Sequence, residues 1–260
     1  ISGENRNYIF KNLGGYKFEQ LTDSPIVEAG TFSYGCSVGD YNNDGAMDLF
    51  FTNWDSPNHL YRNTGNWQFE KVTDAGLSDL PSKTEGSCWG DFDNDGWIDL
   101  AVSNDGANYL YRNFSGQYFE LTPLSGFTDT SINSNALIFF DSNRSGFLDL
   151  YVANGGNQKN QFFNNGGNEN NWVKVHLKGR KSNSSAIGSK VLVCTKSTKQ
   201  TQEVSAQSGG GCGGQKPLTL HFGLGQSEKI DSIRIHWSSG KVQSMYNLHS
   251  KQLIEVLEID

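Results

Sequence analysis

The chain has 260 residues, 28 Asp and Glu against 21 Lys and Arg, a formal net charge of −7, and 30 glycines. That balance argues against a nucleic-acid partner, which requires a basic surface, and no apolar run approaches the roughly 18 residues of a membrane-spanning helix. The glycine- and asparagine-rich composition points instead to many short strands joined by turns, in one sizeable core or two smaller ones.

The chain opens at Ile1, without Met and without a charged-then-apolar leader, so any targeting signal is expected to have been removed or left out. From Asn7 onward three markers recur at one period. "NYIFKN" begins at Asn7, "NHLYRN" at Asn58, "NYLYRN" at Asn108 and "NQFFNN" at Asn160; "YKFEQLT", "WQFEKVT" and "QYFELT" follow the first three. Between them stand "GDYNNDGAMDLFFTN" from Gly39, "GDFDNDGWIDLAVSN" from Gly90 and "FFDSNRSGFLDLYVAN" from Phe139, whose leading aspartates Asp40, Asp91 and Asp141 lie 51 and 50 residues apart. A repeat of this length reads as propeller blades or stacked β-units, with four short strands per unit. One such unit cannot bury both its faces, so neighbouring units must stack on it.

The second loop sets four carboxylates among eleven residues. Asp91, Asp93, Asp95 and Asp99 occupy positions 1, 3, 5 and 9, Gly96 supplies the bend at position 6, and the Trp97 carbonyl adds a donor at position 7. Hard oxygen donors converging from alternate positions of a curled loop suit Ca²⁺. The spacing resembles the start of an EF-hand, but position 12 is Val102 in an apolar run rather than a closing glutamate. The first loop offers Asp40, Asn42, Asp44, the Ala46 carbonyl and Asp48; the third offers Asp141, Asn143, Ser145, the Phe147 carbonyl and Asp149. Up to three calcium ions are expected, with affinity falling from the second loop to the first to the third as the carboxylates fall from four to three to two. Asp/Asn turns without metal are the alternative.

Cys36 and Cys88 precede successive loops, and Cys194 and Cys212 lie in the last third. An even count split this way suits one disulfide per region and an oxidising compartment; four buried free thiols are the alternative. Three sequons, at Asn113, Asn143 and Asn183, fit a secreted glycoprotein, with chance occurrence in an Asn-rich chain as the alternative, and a glycan on Asn143 would spoil it as a ligand. Catalytic signatures are missing: His59, His176, His221, His236 and His249 show no HExxH spacing, and neither a GxSxG elbow nor a phosphate-binding glycine loop occurs. Trp54 and Trp67 flank turns where they could stack on a sugar; Trp89, Trp97, Trp172 and Trp237 read as core.

After a polar joint, Asn164 to Asn171, seven strand-like segments follow: "VKVHLKG", "SKVLVCTK", "TQEVSAQ", "LTLHFGLG", "DSIRIHW", "KVQSMYNL" and "KQLIEVLEI". Alternation puts Val173, Val175 and Leu177 on one face, and Ile233, Ile235 and Trp237 likewise. A small β-sandwich is expected.

At these motifs a resemblance becomes specific. "GDxxxDGxxDL" followed by Asn resembles the FG-GAP or VCBS-type repeat of calcium-binding propeller blades. "NNWVKVHLKG", "AIGSKV", "HFGLG" and "IRIHWSSGK" resemble the UnbV/ASPIC domain that follows such repeats in cartilage-acidic-protein-like secreted proteins. The glycine-rich "SGGGCGG", Ser208 to Gly214, departs from that pattern, where a less glycine-rich loop is expected. The resemblance implies an all-β protein with residues 1–165 as propeller-like blades and 166–260 as a sandwich. It also implies an extracellular, calcium-stabilised, non-enzymatic role in adhesion, binding or structure. The expected partner is an extracellular protein, a glycan, or another copy. Three repeats are too few to close a propeller, so missing blades, a filament of copies, or capping by the sandwich are the ways to cover the open ends. A secreted glycan hydrolase is the alternative from another class.

Overall fold

The computed structural model describes residues 7–27, 32–77, 82–206 and 215–260. The protein is all-β, and the repeat period is a strand period. A hairpin, β1 (Ile9–Gly14) and β2 (Lys17–Leu21), and a 3-10 turn at Pro25–Val27 precede the first blade: β3 (Ser33–Gly39), β4 (Asp48–Ser56), β5 (His59–Gly65) and β6 (Gln68–Val72). The second blade is β7 (Ser82–Gly90), β8 (Asp99–Asn104), β9 (Tyr109–Phe114) and β10 (Tyr118–Leu121). The third is β11 (Ser134–Phe140), β12 (Asp149–Asn154) and β13 (Gln161–Phe163). Neighbours within a blade pair antiparallel, and the registers are copies. Gly39 faces Asp48, Gly90 faces Asp99 and Phe140 faces Asp149, so each aspartate loop is the connection between a blade's first two strands.

Blades stack through their apolar faces, β3 beside β7 and β7 beside β11. In the middle blade β8 is buried at every position. Leu100 and Val102 join Phe50, Leu60 and Tyr111 in one core, while Ala101 joins Leu137, Phe139 and Val152 in the next. The Gly-Asp dipeptide of the motif follows from this stacking. A Cβ on Gly39 would lie 2.7 Å from Ile98 Cδ1, and one on Gly90 2.7 Å from the Phe139 ring. The third repeat has Phe140 at this position, and among the described residues no further blade stacks there.

Polar seams also join the blades. Asn58 Nδ2 donates to Thr84 Oγ1 at 3.0 Å, which donates to Asn104 Oδ1; Asn108, Ser134 and Asn154 repeat the chain, as do Asn7, Ser33 and Asn53. The hairpin β1–β2 therefore sits against the first blade as each outer hairpin sits against the next blade. It forms a two-stranded sheet with Tyr8, Phe10, Leu13, Tyr16 and Phe18 exposed.

The last third forms β14 (Asn171–Lys178), β15 (Lys190–Cys194), β16 (Lys199–Glu203), β17 (Leu220–Gly225), β18 (Lys229–His236), β19 (Val242–His249) and β20 (Gln252–Leu257). Two sheets, β17-β14-β20 and β16-β15-β18-β19, enclose one core that includes Val173, Val175, Leu177, Phe222, Ile233, Ile235 and Trp237. The alternation read from the sequence is the alternation observed. No helix among the described residues is long and apolar enough to cross a membrane.

Two expectations require correction. Cys36, Cys88 and Cys194 are free thiols. The Ser37 and Ser87 hydroxyls meet at 2.8 Å across the blade contact, and side chains alternate along a strand. Cys36 and Cys88 therefore point away from that contact, and Cys88 packs in the next core. Cys212 and the "SGGGCGG" stretch lie outside the described residues. The second correction is Asn113, which is fully buried and whose amide donates to the Tyr41 and Ile98 carbonyls. Its sequon is a structural asparagine with no surface to carry a glycan. Asn143 and Asn183 are exposed.

Candidate metal centre

The three loops share one local hydrogen-bond pattern, because each bond spans only a few residues. The position-1 carboxylate accepts the N–H groups of positions 5 and 6: Asp40 from Asp44 and Gly45, Asp91 from Asp95 and Gly96, Asp141 from Ser145 and Gly146. The side chain at position 3 accepts position 5, and that at position 5 accepts position 7, so Asn42, Asp93, Asn143, Asp44, Asp95 and Ser145 all turn inward on the loop. Ala46, Trp97 and Phe147 donate the N–H groups at position 7. Position 4 adopts positive φ at Asn43, Asn94 and Arg144. The position-9 aspartates Asp48, Asp99 and Asp149 each bridge two backbone N–H groups, one just after the leading aspartate and one at the end of the third strand.

The second loop concentrates negative charge. Asp91, Asp93 and Asp99 present carboxylate oxygens within 4.8 Å of one another and can hold a metal ion. Asp91 and Asp99 are essentially inaccessible to solvent. Burial and the neighbouring carboxylates push both well above the ordinary carboxylate range. In the first loop burial raises Asp40 to about 6 and Asp48 to about 7. Among the described residues no Lys or Arg forms an ion pair with any of these four. Arg112 covers only the rim of the second loop, 2.5 Å from Asp93 and 3.1 Å from Asp95; its counterpart Arg62 turns to Glu70. The donor set fits a hard cation: an oxygen that accepts one N–H keeps a second lone pair for a metal.

The sandwich meets these loops through side chains that the sequence reading left without partners. Asn94 donates to the Gly146 carbonyl of the third loop, as Asn43 does to Gly96 of the second. Asn94 Oδ1 also meets His221 Nε2 at 2.7 Å. His221 on β17 is paired in register with Lys174 on β14, which forms an ion pair with Asp141. Burial and the Lys174 charge lower His221 to about 4, so its imidazole is neutral around neutral pH. The joint is pinned as well: Asn165 donates to the Phe92 carbonyl, and Asn168 and Asn170 to that of Asp93.

Between the inner strands and the sandwich lies a cavity of about 770 Å³, lined by Val38, Trp89, Phe139, Trp172, Lys216 and His221 among others. Trp54 stacks on Tyr34 at 5.2 Å, with Lys83 over its ring, and Trp67 is 43 % exposed.

Comparison with known proteins follows the same division. The FG-GAP-like repeat model matches residues 1–51, 40–102 and 91–152, and the ASPIC and UnbV model matches 179–260. Cartilage acidic protein 1 of Homo sapiens is 27 % identical over 97 % of this chain, and that of Mus musculus likewise; the chain spans 40 % and 41 % of their lengths. The Xenopus tropicalis protein of that name is 28 % identical over 38 % of this chain, covering 16 % of its own length. Three stacked units with one loop architecture, followed by a sandwich, place the chain in the FG-GAP-like repeat family, with an ASPIC and UnbV segment behind the repeats.

Proposed function

We propose that the protein is an extracellular, non-catalytic β-repeat module whose blades are stabilised by calcium and whose surface serves binding, adhesion or structure. The observation that carries this reading is the pair Asp91 and Asp99, buried in the second loop beside Asp93 with no Lys or Arg paired to either among the described residues. Ionised carboxylates in that position require a cation, and an all-oxygen array of this kind favours calcium. Asp91, Asp93, Asp95, Asp99 and the Trp97 carbonyl would hold one ion; Asp40, Asn42, Asp44, Asp48 and the Ala46 carbonyl a second. The ion would neutralise the loop and tie the first two strands of each blade together. The extracellular placement draws on the likeness to cartilage acidic protein 1 and on the exposed sequons at Asn143 and Asn183. We assign the blades to 1–165 and the sandwich to 166–260.

Thermal unfolding in calcium and in excess EGTA tests the reading, with size-exclusion chromatography alongside. A large fall in melting temperature without calcium is expected; no change would remove calcium from the proposal. A second reading, self-association, is favoured by the exposed aromatic hairpin β1–β2. It predicts concentration-dependent assemblies, whereas a stable monomer at all concentrations counts for a protein- or glycan-binding module.

A further inference from the structure

We propose that the third loop takes no metal ion: the Lys174 ammonium of the sandwich serves as its cation, which turns a repeat of the metal-site pattern into the attachment point between blades and sandwich. The inference rests on the calcium reading of the other two loops.

Two independent observations separate this loop from its siblings. The first is the position-1 carboxylate. Asp141 is paired with Lys174, whose side chain is largely buried, while Asp40 and Asp91 have no such partner among the described residues. Lys174 also lies 5.3 Å from the Trp172 ring centroid. That indole is pressed on the loop at Gly146, where a Cβ would run into it. Lysine and tryptophan thus approach the third loop together from β14.

The second is the position-9 carboxylate. Asp48 and Asp99 each accept two N–H groups, which leaves lone pairs for an ion. Asp149 accepts four donors: the N–H and hydroxyl of Ser142 on Oδ2, and Asn165 N–H and Asn164 Nδ2 on Oδ1. A carboxylate has about four lone-pair sites, so this one is full. Both added donors are departures of the third repeat. Ser142 stands where the other loops have Tyr41 and Phe92, and Asn164 where the blades have Arg62 and Arg112. With one aspartate claimed by an ammonium and the other saturated, Asn143, Ser145 and the Phe147 carbonyl do not make a calcium site.

Calcium uptake by the whole chain, measured by equilibrium dialysis, tests this, with melting temperature as a second readout. Asp141→Asn is expected to bind as many ions as the unaltered protein, and Asp99→Asn one fewer. Loss of one ion in Asp141→Asn would overturn the inference. Lys174→Met is expected to lower the melting temperature in calcium and in EGTA alike; no loss in EGTA would also overturn it. If the unaltered protein binds no calcium, the calcium reading fails by itself, and the Lys174→Met result in EGTA still decides for or against the lysine.

Discussion

Asp99 in the second blade loop and Glu258 just beyond β20 are both fully buried carboxylates, yet their surroundings drive them in opposite directions. Asp99 accepts two backbone N–H groups and shares its loop with Asp91 and Asp93, so burial and those neighbours raise it. Burial alone would raise Glu258 too. There the Ser239 hydroxyl, the Ser182 N–H and hydroxyl and the Arg180 N–H outweigh it and hold the acid down to about 2, with Lys181 N–H adding a further bond. The sandwich supplies its carboxylate with donors from several groups, whereas the second blade gathers Asp91, Asp93 and Asp99 with no Lys or Arg paired to Asp91 or Asp99 among the described residues. The sandwich also has one continuous core, while the blades divide theirs between two smaller ones. Dependence on calcium is therefore expected in the blades and not in the sandwich.

The largest expected effect is chelation. Excess EGTA should destabilise the blades by about 2.7 kcal/mol for each ion that was held at a hundredfold excess over its Kd. Calorimetry should then show the blade transition separating downward from that of the sandwich; a uniform fall of both would break the comparison. Next come the cores. Leu100→Ala, at a fully buried position between the first two blades, should cost about 2–5 kcal/mol in the calcium-dependent transition. Ile233→Ala should cost as much in the calcium-independent one, and calorimetry on both variants checks the assignment.

A smaller effect distinguishes the carboxylates by pH. Glu258 sits below its ordinary 4.5 in the folded chain. Its contribution is therefore complete above about pH 4.5 and is lost as pH falls toward about 2. Glu258→Gln should lower the melting temperature at neutral pH by several degrees and flatten the acid limb of the stability curve; an unchanged acid limb would count against the hydrogen-bonded cage as its source. The smallest effect is Arg62→Ala. Its ion pair with Glu70 is solvent-exposed, so denaturant unfolding should shift by less than about 0.5 kcal/mol. A larger cost would mean that Arg62 acts on the first loop as Arg112 does on the second.

Much of the fold was legible in the sequence because it rests on short-range rules. The loops repeat in structure because their hydrogen bonds join positions two to five residues apart, and those positions are the ones the sequence repeats. The sandwich strands were legible from two-residue alternation at Val173, Val175 and Leu177. Pattern alone misled where orientation decided the outcome. Cys36 and Cys88 stand one residue out of step in adjacent blades, four and three residues before Asp40 and Asp91, so each faces away from the shared Ser37–Ser87 contact. Asn113 matches a sequon, yet its amide is spent on two buried carbonyls.

The period, the strands, the turns and the local hydrogen-bond pattern of each loop follow from side chains close together in the chain, and so could be read from the sequence. Packing between distant segments set which loop meets Lys174 and which meets His221. Lys174 lies 33 residues from Asp141, and His221 lies 127 from Asn94. Neither pairing carries a local signal. The stacking of β14 and β17 on the loops creates both, because burial leaves a charged or polar group there no partner but the one packed against it.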